Sequence, residues 1–192
     1  MKGTMKRGVR LSGITDIMFD RYAGDNKTQL PPERKLYFGA DGKTLVLPAA
    51  NLLSFLSAQN TDSAPKRFMD PRQYKSVCQA LLSYTVVRPA EIPFLNGRKP
   101  IRFERLGEPE DREAAVYVHR SVARLAKGIP NPKVRPVLRT PWALEFELEM
   151  YPTPQVSEDM LHDLFVKGGL AIGLGTFRGV FGKFEVEAWK TL

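Results

Sequence analysis

The chain has 192 residues, 43% of them apolar and 26% charged, with a formal net charge of +8. That length fits one domain whose core needs no staples, and no apolar run approaches the roughly 18 residues of a membrane-spanning helix. Its single cysteine, Cys78, excludes an internal disulfide and a cysteine-based zinc site, so a reducing, cytoplasmic setting is expected, with Cys78 as a buried helical thiol.

The start, "MKGTMKRGVRL", is basic and lacks the apolar stretch of a signal peptide. "SGITDIMFDRY" (12–22) is expected to be the first strand. Ile14 and Met18 face one way and Ile17 and Phe19 the other, the pattern of a central strand. "AGDNKTQLPPER" (23–34) is a polar loop. "KLYFGADGKTLVLP" (35–48) is a hairpin turning at Asp41-Gly42. "AANLLSFLSAQN" (49–60) reads as a helix with Leu52, Leu53 and Leu56 on one stripe. "TDSAPKRFM" (61–69) is expected to be irregular. "DPRQYKSVCQALLSY" (70–84) is a second helix, with Asp70 as N-cap and Pro71 at its first position.

"EIPFLNGRKPIRFE" (91–104) is a second hairpin, around Asn96-Gly97, and "GEPEDREA" (107–114) is an acidic loop. "VYVHRSVARLAKG" (116–128) fits either a helix, by the spacing of Val118, Val122 and Leu125, or a strand, by its β-branched start. "IPNPKVRPVLRTP" (129–141) holds Pro130, Pro132, Pro136 and Pro141 and must be extended. In "WALEFELEM", Trp142, Leu144, Phe146, Leu148 and Met150 alternate with Ala143, Glu145, Glu147 and Glu149, as in a half-buried antiparallel strand. "VSEDMLHDLFVKGG" (156–169) is a helix capped by Ser157 and ended by Gly168-Gly169. The glycine-rich "GLGTFRGVFGKF" (173–184) follows, and "KFEVEAWK" (183–190) is the closing strand. The ends of the chain together make an α+β layer, an antiparallel sheet with helices on one face. Residues 60–140 look like a basic, hairpin-containing insertion projecting from it.

The excess charge is concentrated. Between Ala114 and Thr140 lie Arg120, Arg124, Lys127, Lys133, Arg135 and Arg139, with no acid, which suits a polyanionic partner. The glycine-rich stretch spells G-x-G-x-x-x-G, one residue away from a dinucleotide loop, but it runs from helix to strand where such a loop runs from strand to helix. Two readings remain open. The glycines suit tight packing on the sheet, or a cradle in which the backbone at Gly173, Gly175 and Gly179, with Arg178 and Lys183, holds phosphates. Arg120, Arg124, Lys127, Lys133 and Arg135 would extend that track, joined by Lys66 and Arg67. The glutamates of strand 142–150, with Glu185 and Glu187, would repel phosphates from the open sheet face. Nucleic acid is therefore expected along the loops, where Tyr117, Phe68 and Tyr74 are either stacking groups or core.

"KGGLAIGLGTFRGVFGKFEV" resembles the glycine-rich loop of the RAMP superfamily, the RNA-binding subunits of CRISPR effector complexes. "VRPVLRTPWALEFELEMY" and "LVLPAANLLSFLSAQ" resemble that family's lead into its final half and its strand-to-helix entry, although Ser54 or Phe55 stands where glycine or lysine is common. The resemblance covers about half the chain. It implies one ferredoxin-like, RRM-like domain over 1–192, with 60–140 as a thumb-like insertion. It also implies single-stranded RNA (or DNA) binding without catalysis, in a head-to-tail homo-oligomer or as a subunit of a ribonucleoprotein complex. No cofactor and no metal ion is expected. The alternatives are a metal-dependent endoribonuclease using Asp25, which stands in the loop where some relatives carry a catalytic aspartate, and a protein-interaction module mimicking an effector subunit. His119 is a further candidate general base.

Overall fold

The computed structural model describes residues 3–25, 28–124, 128 and 130–192. Its first strand is β1 (Met5–Gly13), upstream of the expected 12–22. Met5, Val9 and Leu11 are buried and alternate with Lys6, Gly8 and Arg10, so one face enters the core and the basic face stays outside. The segment 12–22 supplies only the short β2 (Ile17–Met18), and Ile14 is left 47% exposed.

A single 3₁₀ turn (Pro32–Lys35) precedes the expected turn at Asp41-Gly42. There the Asp41 carboxylate accepts from the Lys43 and Thr44 amides. β3 (Val46–Pro48) leads into α1 (Ala49–Ser57), which buries Leu52, Phe55 and Leu56. The expected irregular stretch 61–69 holds a short helix, α2 (Ala64–Phe68), whose Ala64 and Pro65 are buried. α3 (Tyr74–Tyr84) starts later than expected. Asp70 instead closes a turn, its side chain accepting from the Arg72 amide and its carbonyl from Gln73 and Tyr74. Cys78 is buried on this helix, as expected, and burial raises its thiol pKa.

β4 (Thr85–Arg88) is followed by the hairpin of β5 (Glu91–Asn96) and β6 (Lys99–Pro100), turning at Asn96-Gly97 as expected. After the short β7 (Leu106–Gly107), the ambiguous segment is a strand, β8 (Val116–Arg124), paired along its whole length with β9 (Pro130–Leu138). β10 (Ala143–Met150) shows the expected alternation, except that Ala143 and Glu149 of the outward set are buried.

α4 (Glu158–Ala171) is capped by Ser157, which accepts from the Met160 amide. It does not end at Gly168-Gly169. Both lie inside the helix, where a Cβ at Gly168 would stand 2.4 Å from the Phe55 ring and one at Gly169 2.5 Å from the Phe184 carbonyl oxygen. Their use is close approach to α1 and to β11 (Phe184–Thr191), the last strand.

The main sheet runs β11-β1-β10-β5-β3, with β4 also on β10 and β6 on β5. All its pairings are antiparallel. The helices supply Phe55, Leu81, Leu161 and Phe165 to one core, shared with Val9, Leu11, Leu144, Phe146 and Leu148 of the strands. This is an α+β, ferredoxin-like arrangement. Within 60–140, residues 64–100 supply the helices and strands α2 to β6. The later part, joined by β2 from outside the segment, builds a second sheet, β2-β9-β8-β7.

β9 accommodates Pro130, Pro132 and Pro136 for a geometric reason. The carbonyls of Val134 and Pro136 point away from β8, accepting from Lys35 Nζ and the Phe19 amide. Even-numbered positions of the strand therefore aim their backbone groups outward, and the missing proline N–H groups remove no bond to β8.

Candidate nucleic-acid interface

The turn between α4 and β11 has Gly173, Gly175, Gly179 and Gly182 all in the left-handed region, at φ +78°, +77°, +90° and +74°. Three of them also permit contact that a side chain would block. A Cβ at Gly182 would meet the Leu174 carbonyl oxygen at 2.0 Å, one at Gly173 the Gly182 carbonyl at 2.6 Å, and one at Gly175 the Met18 carbonyl oxygen at 2.5 Å. The turn is thus folded tightly on itself and on β2. Its amides are largely engaged: Gly173 donates to Gly168 O, Thr176 to Met18 O, Gly179 to Ile172 O and Gly182 to Asp16 O.

What the turn presents outward is side chain. Phe177 is 52% exposed and has a left-handed φ of +51°, the one non-glycine with positive φ among the described residues. Its ring lies 6.0 Å from that of Phe181, and Phe181 lies 5.4 Å, edge-on, from His119 of β8. Phe181 also packs on the buried group of Met18, Tyr117 and Val137. The glycine-rich turn and the second sheet therefore share one surface.

The register of β8 on β9 sorts the cations. Opposed residues of an antiparallel pair share a face. His119 pairs with Arg135 and Ser121 with Lys133, which places Lys133 and Arg135 on the face that meets Phe181. Arg120 pairs with Val134 and lies on the other face, where Glu108 binds its guanidinium. Arg135 is on the Phe181 side, but its Nε donates to Asp20 at 2.7 Å. Arg124 ends β8, and Lys127 lies outside the described residues.

A second group gathers at residues 59–62. Arg178 Nη2 reaches Thr61 Oγ1 at 3.4 Å, Lys66 Nζ donates to the carbonyls of Gln59 at 3.0 Å and Thr61 at 3.5 Å, and Arg67 pairs with Asp62. Arg178 is half-buried and has no ion pair among the described residues. Burial lowers its pKa, with Asp62 acting weakly in the other direction. Lys183 is held by its backbone, its amide donating to Thr15 Oγ1 and its carbonyl accepting from Ile14. The structure brings Arg178, Lys66 and Arg67 together, and places Lys133 with His119. It does not join Arg120 to either group.

Of the aromatic candidates, Phe68 is 40% exposed and Tyr74 half-buried, while Tyr117 is covered. The Tyr117 hydroxyl donates to Asp16 at 3.2 Å and the Arg139 guanidinium lies 4.2 Å over its ring. Burial first, then the Asp16 charge, raises the phenol pKa. Asp25 accepts from the Thr28 amide at 2.6 Å and from its hydroxyl at 2.7 Å, as a loop-closing aspartate does. Among the described residues, no group of three His, Cys, Asp or Glu is placed to hold a metal ion.

The open face of the main sheet is charge-balanced, where a repelling acidic wall was expected. Arg10 binds both Glu145 and Glu187, and Glu149 takes Arg88 and Lys6. Gly8 leaves a notch there, in a cleft of about 890 Å³ lined by Arg10, Arg88, Glu147, Lys190 and Leu192. Sequence reasoning also missed Phe177, Phe181 and Thr61. The only available signal was the Phe-Arg pair inside a glycine-rich run.

No family model and no curated protein matches the chain. Among solved structures it is similar to a chain in the cryo-EM structure of the type III-B Cmr-beta bound to cognate target RNA, with a TM-score of 0.52 and 10% identity. The match covers 99% of this chain and 61% of that one, so this chain spans less than two thirds of its neighbour's length. At that identity the likeness concerns the fold. No helix among the described residues is long and apolar enough to cross a membrane.

Proposed function

We propose that this chain binds single-stranded RNA where the glycine-rich turn meets the β8–β9 face, without cutting it, as a RAMP-like subunit of a ribonucleoprotein assembly. The contact of His119 with Phe181 carries this reading, because it joins the cationic sheet to the turn in one surface. Arg178, Lys66, Lys133 and Lys183 supply positive charge along it, and the half-buried Arg178 makes no ion pair among the described residues, Asp62 being paired with Arg67. Arg120 and Arg135 contribute less, since Glu108 and Asp20 already answer their charges. In this reading the chain is one domain whose second sheet projects from the ferredoxin-like layer, and copies associate head-to-tail along the strand, a heterologous contact that does not close. The similarity to a chain from an RNA-bound Cmr-beta structure supports the choice of RNA over DNA.

The test is titration of a labelled single-stranded RNA at several salt concentrations. Binding that weakens steeply with salt is expected. Binding absent at low salt, or indifferent to salt, overturns the proposal. Incubating the same RNA with Mg²⁺ checks the non-catalytic part, and cleavage abolished in Asp25→Ala would overturn it.

A further inference from the structure

We propose that Phe177 is a nucleobase-stacking residue and that, with the adjacent Arg178, it clamps one nucleotide by base and phosphate. The proposal rests on the RNA-binding reading above and names the part of the RNA that the turn recognises.

The argument begins with what Phe177 gains from its position. At φ +51° a residue with a Cβ is strained, and the same turn uses glycine at every other left-handed position. A glycine at 177 would relieve the backbone, and a polar residue would suit the exposure. The chain instead holds a large apolar ring, 52% exposed, in an unfavourable conformation. Core burial does not account for that choice, and packing on Phe181 leaves half of the ring exposed. A partner that contacts the ring would.

The surroundings fit a flat aromatic partner. Phe177 is backed by Phe181, and Phe181 by His119, so the ring has an aromatic support that ends on a rigid strand pair. Such a supported ring is a platform on which any base can stack, with little dependence on sequence. The next residue along the chain is Arg178, half-buried, whose guanidinium makes the 3.4 Å contact with Thr61 Oγ1 and no ion pair among the described residues, Asp62 acting on it only at longer range. An incoming phosphate would supply the missing anion. Phe68, another exposed aromatic on α2, is offered at a more regular position and carries no comparable strain.

The experiment compares two oligoribonucleotides of equal length, one carrying 2-aminopurine within an adenine run and one with abasic sites in place of its central bases. Phe177→Gly removes the ring while relaxing the backbone, so it leaves folding intact, and Phe177→Trp keeps a ring. The native chain is expected to change 2-aminopurine fluorescence as the base leaves its neighbours in the strand, and to bind the base-bearing strand more tightly than the abasic one. Phe177→Gly should lose roughly 5- to 100-fold in affinity for the base-bearing strand, little for the abasic strand, and most of the fluorescence change. Phe177→Trp should retain the affinity preference. If Phe177→Gly binds and alters the fluorescence like the native chain, the stacking proposal fails while RNA binding stands. If the native chain binds neither strand, both fail together.

Discussion

Arg135 and Asp20 are 115 residues apart in sequence and are joined by a 2.7 Å bond from Nε to Oδ2, with Lys35 Nζ 3.2 Å from the other carboxylate oxygen. This three-residue group ties β9 to the chain that follows β2. It makes Arg135 a brace on the second sheet.

The brace has a pH signature. Burial raises the Asp20 pKa, but the bonds from Arg135 and Lys35 outweigh it and the net direction is down. A depressed carboxylate contributes stability above its unfolded pKa, near 4, and that contribution disappears as pH falls through the folded value. Arg135→Ala should therefore lower unfolding free energy by about 1–3 kcal/mol at pH 7, with a smaller difference at pH 3. Urea unfolding at both pH values checks this. An equal loss at both would show that the carboxylate is not the partner that matters.

Two glycines of one turn should respond differently to alanine. At Gly182 the added Cβ meets the Leu174 carbonyl oxygen at 2.0 Å, and φ is also unfavourable. At Gly179 the nearest atom is 3.9 Å away, so only the backbone strain remains, about 1–2 kcal/mol. Thermal unfolding should rank Gly182→Ala well below Gly179→Ala. Equal effects would mean that the turn relaxes around the new methyl group.

Gly168→Ala sets propensity against packing. In an exposed helix the change would stabilise by about 1 kcal/mol. Here the methyl group lands 2.4 Å from the Phe55 ring inside the core, and overpacking of that kind costs about 1–3 kcal/mol. A net loss of stability is expected, readable in the denaturation midpoint. A gain would show that α1 and α4 can separate without cost.

Salt dependence should distinguish the two faces of the β8–β9 pair. Removing a phosphate contact from a single strand lowers the slope of log K against log salt by about 0.7. Lys133→Ala should show that decrease. Arg120→Ala, on the opposite face and bound to Glu108, should leave the slope unchanged. The reverse pattern would move the RNA to the other side of the sheet.

Features with a short period were legible in the chain itself. The alternation from Trp142 to Met150, the Ser157 cap and the Asn96-Gly97 turn each depend on neighbours a few residues away, and each is present. β1 was obscured because Lys6, Arg7 and Arg10 draw attention to charge, while Met5, Val9 and Leu11 carry the burial. Gly168 and Gly169 were read as a stop because their true neighbours, Phe55 and Phe184, lie on other elements. The cationic track suffered most. Nothing near Arg135 in sequence announces Asp20, and only the β8–β9 register separates Arg120 from Lys133. For Phe177 the Phe-Arg pair in the glycine run was the one signal, and its interest lies in a backbone angle that the sequence does not show.

The three outward prolines of β9 have a consequence for assembly. β2 covers that strand only at Val137 and Leu138. Along the remainder, Pro130, Pro132 and Pro136 offer no donor to an incoming strand, and Lys35 and Phe19 already occupy the Val134 and Pro136 carbonyls, so this border is poorly suited to extension by a neighbouring strand. A second copy, if one associates as proposed, would meet this chain through side chains or at another margin.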